Sequence, residues 1–215
     1  MNITFLGVGN VGGALADKLA QLNYPVTIAA RNPESASVKA AQSKNSDLVV
    51  KPVGDAISEA DVIFLATPYE MNEPALKSAG DLSGKILVDC TNPVSPNLEH
   101  GLSSETSGAE TVQQLVPAAK VVKAFTIYGF ENFQDTHYPG YHFGAQSLKP
   151  AMLIAGDDIA AKATVGELCE QLGWEIVDTG PLSMSLHLEH MTLLWIKMAR
   201  VQGRGADFVW ARLRR

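Results

Sequence analysis

Six residues near the start of the chain, Gly7-Val8-Gly9-Asn10-Val11-Gly12, carry the most legible chemistry in the sequence. A G-x-G-x-x-G spacing permits a tight turn at Gly7, close approach of the backbone to a pyrophosphate at Gly9, and close helix–strand packing at Gly12. Alone the pattern carries little weight. Here an apolar run, Ile3–Leu6, precedes it, and Val11, Leu15, Leu19 and Leu22 follow at helical spacing. A strand therefore runs into a helix whose free N-terminal N–H groups face the phosphates. Asn23-Tyr24-Pro25 stops that helix, and a second apolar run starts at Val26.

The end of the second run discriminates between dinucleotides. An NAD site places Asp or Glu about 20 residues past the glycines, to accept from the ribose 2′-OH. This chain has Arg31 there, nineteen residues past Gly12, in Ile28-Ala29-Ala30-Arg31-Asn32-Pro33-Glu34-Ser35. A guanidinium pairs with a 2′-phosphate through charge-assisted hydrogen bonds, where an acid would repel it. Asn32 and Ser35 add neutral donors, Ser35 from the first turn of a helix. The spacing predicts NADP(H). The ends of the fourth and fifth apolar runs supply Thr67-Pro68-Tyr69 and Cys90-Thr91-Asn92-Pro93. Ligands of open α/β sheets bind beyond the carboxyl ends of the strands, so Thr67, Pro68, Asn92 and Pro93 are expected on the ribose and nicotinamide side.

The elements that must position these residues read as a βαβ series. Short β-rich runs at Ile3–Leu6, Val26–Ala30, Leu48–Val50, Val62–Ala66, Ile86–Asp89, Val121–Phe125, Met152–Ala155 and Trp174–Val177 alternate with helix-length intervals. Several are continuously apolar, as strands covered on both faces of a parallel sheet are. The expected architecture is α/β, a doubly wound parallel sheet of the Rossmann type, with a small, mostly helical C-terminal extension. The dinucleotide-binding domain is expected over residues 1–180, including the later strands, and the extension over 181–215. In the extension Met184, Leu188, Met191, Trp195 and Met198 recur at steps of four and three, marking a core or dimer face.

Composition sets outer bounds. The chain has 215 residues, 17 Lys+Arg against 23 Asp+Glu, and 46% hydrophobic residues. That length buries a core without disulfide or metal staples. Net acidity argues against a nucleic-acid partner. No apolar run is long enough for a bilayer, so a cytoplasmic protein without membrane contact is expected. Five of the six arginines (Arg200, Arg204, Arg212, Arg214, Arg215) fall in the last 16 residues. They read as a solvated or dimer-facing helix end, or as a seat for an anion.

The remaining reactive side chains form no recognisable machinery. Cys90 and Cys169 are isolated, and Cys90 is expected to be a buried structural thiol. His100, His137 and His142 fall in loop-like stretches and are expected in solvent, while His187 and His190 share one helix face. No Ser/His/Asp set, Tyr-x-x-x-Lys pair or metal-ligand pattern stands out, so no catalytic residue and no metal is assigned.

With the glycine loop, Arg31, Thr67-Pro68, Asp89-Cys90-Thr91-Asn92-Pro93 and Asp178-Thr179-Gly180-Pro181-Leu182-Ser183 in view, the chain resembles the NADP oxidoreductases that depend on the deazaflavin coenzyme F420. It also resembles the reductase domain of the STEAP ferric reductases. The resemblance extends through Val121-Val122-Lys123-Ala124-Phe125, Ala155-Gly156-Asp157-Asp158 and Leu193–Arg215. It implies hydride transfer between NADP(H) and a second cofactor, F420 or a flavin, acting as a small-molecule electron acceptor, in a homodimer. In the family's 2′-phosphate pocket, Arg31 matches, Ala30 replaces a serine, and Ser35 stands where a further basic residue occurs. After Lys123-Ala124-Phe125, where relatives carry Asn or His, the chain has Thr126. The irregular stretch 132–150 and the Gly180–Ser183 turn are the expected walls of the acceptor site.

Two other readings remain open on sequence alone. One is a dehydrogenase or reductase of a small carbonyl, imine or hydroxy acid. The other is a non-enzymatic NADP-binding regulatory module.

Overall fold

The computed structural model describes residues 1–138, 142–143 and 146–213, with residues 142, 143, 146 and 147 described by backbone alone. Its centre is an eight-stranded sheet. The strands are β1 (Ile3–Leu6), β2 (Val26–Ala29), β3 (Val49–Lys51), β4 (Val62–Leu65), β5 (Ile86–Asp89), β6 (Lys120–Lys123), β9 (Ala151–Gly156) and β10 (Glu175–Asp178). A separate two-residue hairpin pairs β7 (His142–Phe143) with β8 (Gln146–Ser147). Across the sheet the order is β3-β2-β1-β4-β5-β6-β9-β10. Every residue of β1 and β4 is buried, as expected of central strands covered on both faces; the one polar residue, Thr4, donates its hydroxyl to the Ala56 carbonyl.

The helices are α1 (Asn10–Gln21), α2 (Ala36–Lys44), α3 (Val53–Glu59), α4 (Asn72–Ala79), α5 (Gly108–Leu115), the single turn α6 (Glu131–Gln134), α7 (Ile159–Gln171) and α8 (Ser185–Ile196). A π-helical turn, Lys197–Val201, extends α8. Asn23 ends α1 at φ 64°, a left-handed conformation that asparagine tolerates. Ser107 caps α5 in a reciprocal box with Glu110. Two apolar clusters fill the faces of the sheet: one contains Phe5, Leu15, Phe64, Phe125 and Trp174, and the other Leu6, Ile63, Leu87 and Val121.

Two features of this architecture matter for the site. Strand order reverses between β1 and β4, opening the crevice in which ligands of such sheets sit. The parallel arrangement then stops, because β9 pairs with β6 antiparallel, Val122 opposite Gly156, and β10 follows β9. The carboxyl ends of β9 and β10 therefore lie at the opposite edge of the sheet from those of β1 to β6. The ion pair between Lys120, at the start of β6, and Asp158, just past β9, marks that edge. Among the described residues no helix is long and apolar enough to cross a membrane.

Candidate dinucleotide site

The glycine loop is built as its spacing requires. Gly7 has φ 101°, and a Cβ there would lie 2.8 Å from the backbone of Ala66 and Thr67. A Cβ at Gly12 would lie 2.1 Å from the Gly7 carbonyl oxygen, so only glycine lets α1 pack so tightly on the end of β1. Gly9 is different. A Cβ there meets nothing within 4 Å, so its backbone faces open space that a ligand can approach. Gly9 is also the N-cap of α1 with no side-chain cap, and the first intrahelical bond runs from Gly13 N to Gly9 O. The N–H groups of Asn10, Val11 and Gly12 are left for an anion, reinforced by the helix dipole. This cradle fits a pyrophosphate.

A cleft beside it runs from the loop to the end of β2. Gly7, Val8, Ala30, Arg31, Asn32, Ser35, Ser37 and Thr67 are among the residues that line it. Arg31 is exposed, and its guanidinium pairs with no carboxylate among the described residues; the nearby Glu34 is instead paired with Lys39 at 2.7 Å. Asn32 Oδ1 accepts from Glu34 N at 3.0 Å, which fixes the turn and leaves the amide nitrogen free to donate. Ser35 is the N-cap of α2, yet its hydroxyl makes no capping bond. Ser37, in the first turn of α2, lines the same cleft. A guanidinium unpaired among the described residues, two hydroxyls and a helix start without a side-chain cap are the chemistry that can receive a dianionic phosphate ester.

On its other side the loop borders a second hollow lined by Gly9, Asn10, Gly13, Ser37, Lys44 and Gln134. Asp17 of α1, nearly buried, pairs with Lys44 of α2 at 2.9 Å and accepts from Asn45 and Gln21. Burial would raise its carboxyl pKa, but Lys44, Asn45 and Gln21 hold it below the usual range. This pair fixes the spacing of the two helices flanking the phosphates.

Past β4 and β5, side-chain polarity is set by a buried network. Thr67 donates its hydroxyl proton to Asn72 Oδ1 (2.7 Å), so it presents only an acceptor to the cleft. Asn72 donates to Thr91 Oγ1 (2.8 Å), which donates to Asp89 Oδ1 (2.7 Å). Asp89 pairs through Oδ2 with Lys123 Nζ at 2.9 Å, and the same ammonium reaches Glu189 Oε1 of α8 at 2.8 Å. Glu189 Oε2 receives His100 Nε2 at 2.8 Å and Gly108 N at 3.0 Å. Asp89 and Lys123 are fully buried and Glu189 is 1% exposed. Burial alone would raise the Glu189 carboxyl pKa. The Lys123 charge, with the hydrogen bonds from Lys123, Gly108 and His100, lowers it below the usual range. Burial likewise opposes the Lys123 ammonium, and the two carboxylates reverse that and raise its pKa.

Asn92, half-buried past β5, is bonded to Thr126 and to Thr192 of α8. Phe125, buried at φ 53°, turns the chain out of β6 and brings Thr126 to face Asn92. Pro68 begins the 3₁₀ turn before α4, and Pro93 is buried where its carbonyl accepts from Gly101 N. Val11 and Gly12 lie in the first turn of α1, where their N–H groups belong to the cradle. Of the thirteen residues expected at the site, Gly7, Val8, Arg31, Asn32, Ser35 and Thr67 share one cleft, Gly9 and Asn10 border the hollow beside it, and Asn92 and Pro93 lie two strands along from the loop.

Several expectations are corrected. The Gly180–Ser183 turn lies at the opposite sheet edge because β9 runs antiparallel, and there its carbonyls and N–H groups engage Gly156, Lys162 and Asp157. His100 is not in solvent: its side chain is 2% exposed, bonded to Glu189 and stacked on His190 at 5.2 Å. Arg200 is committed to Glu131 and to the Trp195 ring, and Arg212 to Glu175. Within the stretch 132–150, residues 139–141 and 144–145, and at the C-terminus Arg214 and Arg215, lie outside the described residues. Cys90 is buried as expected, and burial pushes its thiol pKa up, which keeps it protonated.

Sequence reasoning missed Ser37, Asn72, Lys123, Glu189 and Thr192. Two of these carried a signal. Lys123 interrupts an apolar strand, and Glu189 sits among Leu188, Met191 and Leu193 on an apolar helix; charges in such places are buried only when paired.

The chain is similar to known proteins along most of its length. Residues 2–93 match the family described as NADP oxidoreductase, coenzyme F420-dependent. The F420-dependent NADP reductase of Methanocaldococcus jannaschii is 30% identical over 212 residues, covering 91% of each chain. The metalloreductase STEAP3 of Rattus norvegicus is 31% identical over 191 residues, which is 89% of this chain and 36% of that protein, so the chain spans about a third of that relative. A crystal structure described as an F420-dependent NADP reductase from Arthrobacter sp. FB24 superposes with a TM-score of 0.82 at 29% identity, covering 99% of both chains.

Proposed function

The chain belongs to the coenzyme F420-dependent family of NADP oxidoreductases, and from that premise we propose that it moves a hydride between NADP(H) and a flavin-like acceptor, F420 or a flavin. The observation that carries the reading is Arg31, a guanidinium unpaired among the described residues, beside Ser35 and Ser37 where an NAD site would place an acid. Arg31, the two hydroxyls and the start of α2 bind the 2′-phosphate. The N–H groups at the start of α1, opened by Gly9, bind the pyrophosphate. Thr67 accepts from a ribose hydroxyl, and Asn92 stands at the redox end.

The nicotinamide supplies the two-electron chemistry when bound. The chain's own contribution is to hold two rings in register and exclude water. The charged groups beneath the redox end support this division of labour. Lys123 is paired with both Asp89 and Glu189, which raises the pKa of its ammonium and lowers that of Glu189, and burial raises that of the Cys90 thiol, so Lys123 and Glu189 stay charged and Cys90 stays neutral at neutral pH. In hydride exchange between two rings the reduced acceptor can take its ring-nitrogen proton from solvent, whereas reduction of a carbonyl needs a proton donor at the oxygen as the hydride reaches carbon. The test is anaerobic oxidation of NADPH, followed by its absorbance, with F420, free flavins, ferric chelates and small carbonyls offered in turn. Turnover with F420 or a flavin is expected. Turnover confined to carbonyl or imine substrates, or binding without turnover of any acceptor, contradicts the proposal.

A further inference from the structure

The amide of Asn92 is held at both ends. Its Oδ1 accepts from Thr126 Oγ1 at 2.5 Å and lies 3.1 Å from Thr192 Oγ1, while its Nδ2 donates to the Thr126 carbonyl oxygen at 3.4 Å. The alternative amide orientation would turn Oδ1 toward that carbonyl, oxygen against oxygen, so Thr126 decides which end of the amide faces which way. Thr126 is 1% and Thr192 4% exposed, and Thr192 is itself seated by the carbonyls of Thr126 (2.9 Å) and Leu188 (3.0 Å). Asn92 Oδ1 thus accepts from Thr126 Oγ1 and faces Thr192 Oγ1, whose single proton is shared between Oδ1 and those two carbonyls. The second N–H of Nδ2 has no acceptor among the described residues. Asn92 offers a ligand a donor and no acceptor.

Its place along the sheet says which ligand group needs that donor. Arg31 lies past β2, the glycine loop past β1, and Asn92 past β5. With strands about 4.8 Å apart, three steps separate the Arg31 and Asn92 ends by about 14 Å, with the phosphate cradle between them. An extended dinucleotide anchored by its 2′-phosphate at one end and its pyrophosphate in the middle brings its nicotinamide to the other end. We propose that Asn92 donates a hydrogen bond to the carboxamide oxygen of the nicotinamide, and that Thr126 and Thr192 are positioning residues that hold its amide in the donating orientation. This inference rests on the NADP(H) reading above. It also gives α8 a part in the site, because Thr192 reaches back from the C-terminal helix to a residue past β5.

Binding titrations with three nucleotides test it. NADP⁺ carries the carboxamide oxygen, its thionicotinamide analogue replaces that oxygen with a poorly accepting sulfur, and its 3-acetylpyridine analogue keeps the oxygen and loses the amide NH₂. Wild-type protein should bind the thio analogue about five- to tenfold more weakly than NADP⁺, and the acetylpyridine analogue about as well as NADP⁺. Asn92→Ala should abolish the thio penalty. Thr192→Val should shrink it and Thr192→Ser should retain it, a pattern that loss of packing alone does not produce. Equal binding of NADP⁺ and the thio analogue by wild type, or a thio penalty that survives in Asn92→Ala, overturns the inference while leaving a preference for NADPH over NADH intact. Failure to bind any of the three removes the NADP(H) reading and this inference with it.

Discussion

Replacing Lys123 with Met tests the buried charges beneath the site. Lys123 Nζ lies 2.9 Å from Asp89 Oδ2 and 2.8 Å from Glu189 Oε1, and none of the three side chains is more than 1% exposed. Methionine preserves most of the volume but strands two carboxylates without a counter-charge. Removing one partner of a buried ion pair costs about 3–5 kcal/mol, and two orphaned carboxylates place this substitution toward the upper end. Against a native stability of about 5–15 kcal/mol the loss is a large fraction, and for a chain of this length it corresponds to a fall in Tm of about 6–20 °C. Lys51→Met is the matched control, since Lys51 pairs with Glu59 at the surface, where their side chains are 33% and 57% exposed; its cost is about 0–1 kcal/mol. Urea and thermal unfolding at pH 7, followed by circular dichroism, compare the two. A Lys123→Met loss within about 1 kcal/mol of the Lys51→Met loss would refute the reasoning, because it would mean the carboxylates find water or protons without structural cost.

The glycines of the loop separate folding from binding. Gly12→Ala drives a methyl group into the Gly7 carbonyl and should destabilise by several kcal/mol or fail to fold, whereas Gly9→Ala should melt close to wild type yet bind NADPH at least tenfold more weakly, as calorimetry would show. The charge cluster also fixes a pH window. Glu189 titrates below the ordinary carboxylate value, so its contribution is complete above about pH 4.3 and is lost as pH falls through its lowered pKa. Lys123 titrates above the ordinary lysine value, so its contribution is complete below about pH 10.4 and is lost as pH rises through its raised pKa. Urea midpoints of Glu189→Gln, measured against wild type from pH 2 to 7, should show a shallower acid limb; an unchanged limb would mean Glu189 does not titrate as its surroundings require.

The sequence was most readable where one residue type answers one geometric demand. Gly7 and Gly12 could be placed because a Cβ at either position collides with backbone, and Arg31 because its position along the chain already tells which strand end it occupies. The apolar runs of β1 and β4 are legible for the same reason, since central strands bury both faces. What escaped reading depends on contacts between distant segments. Glu189, Lys123 and His100 come from three elements, and no local pattern shows that a loop histidine will meet a helix carboxylate in the core. Thr126 and Thr192 are 66 residues apart, and their joint hold on Asn92 exists only after α8 packs against the sheet. The misplaced Gly180–Ser183 turn has a related cause. Strand direction is a property of the pairing, and the residues of β9 read the same whether the strand runs parallel or antiparallel to β6.

The central claim is that Arg31 recognises a 2′-phosphate, and the most direct test is the pair of dissociation constants for NADPH and NADH in wild type and Arg31→Ala. A charge-assisted contact of this kind contributes about 1.5–3 kcal/mol. Wild type should therefore prefer NADPH by tenfold or more, and Arg31→Ala should lose that preference through weaker NADPH binding while NADH binding stays nearly constant. Equal losses for both nucleotides, or no loss for either, would contradict the account.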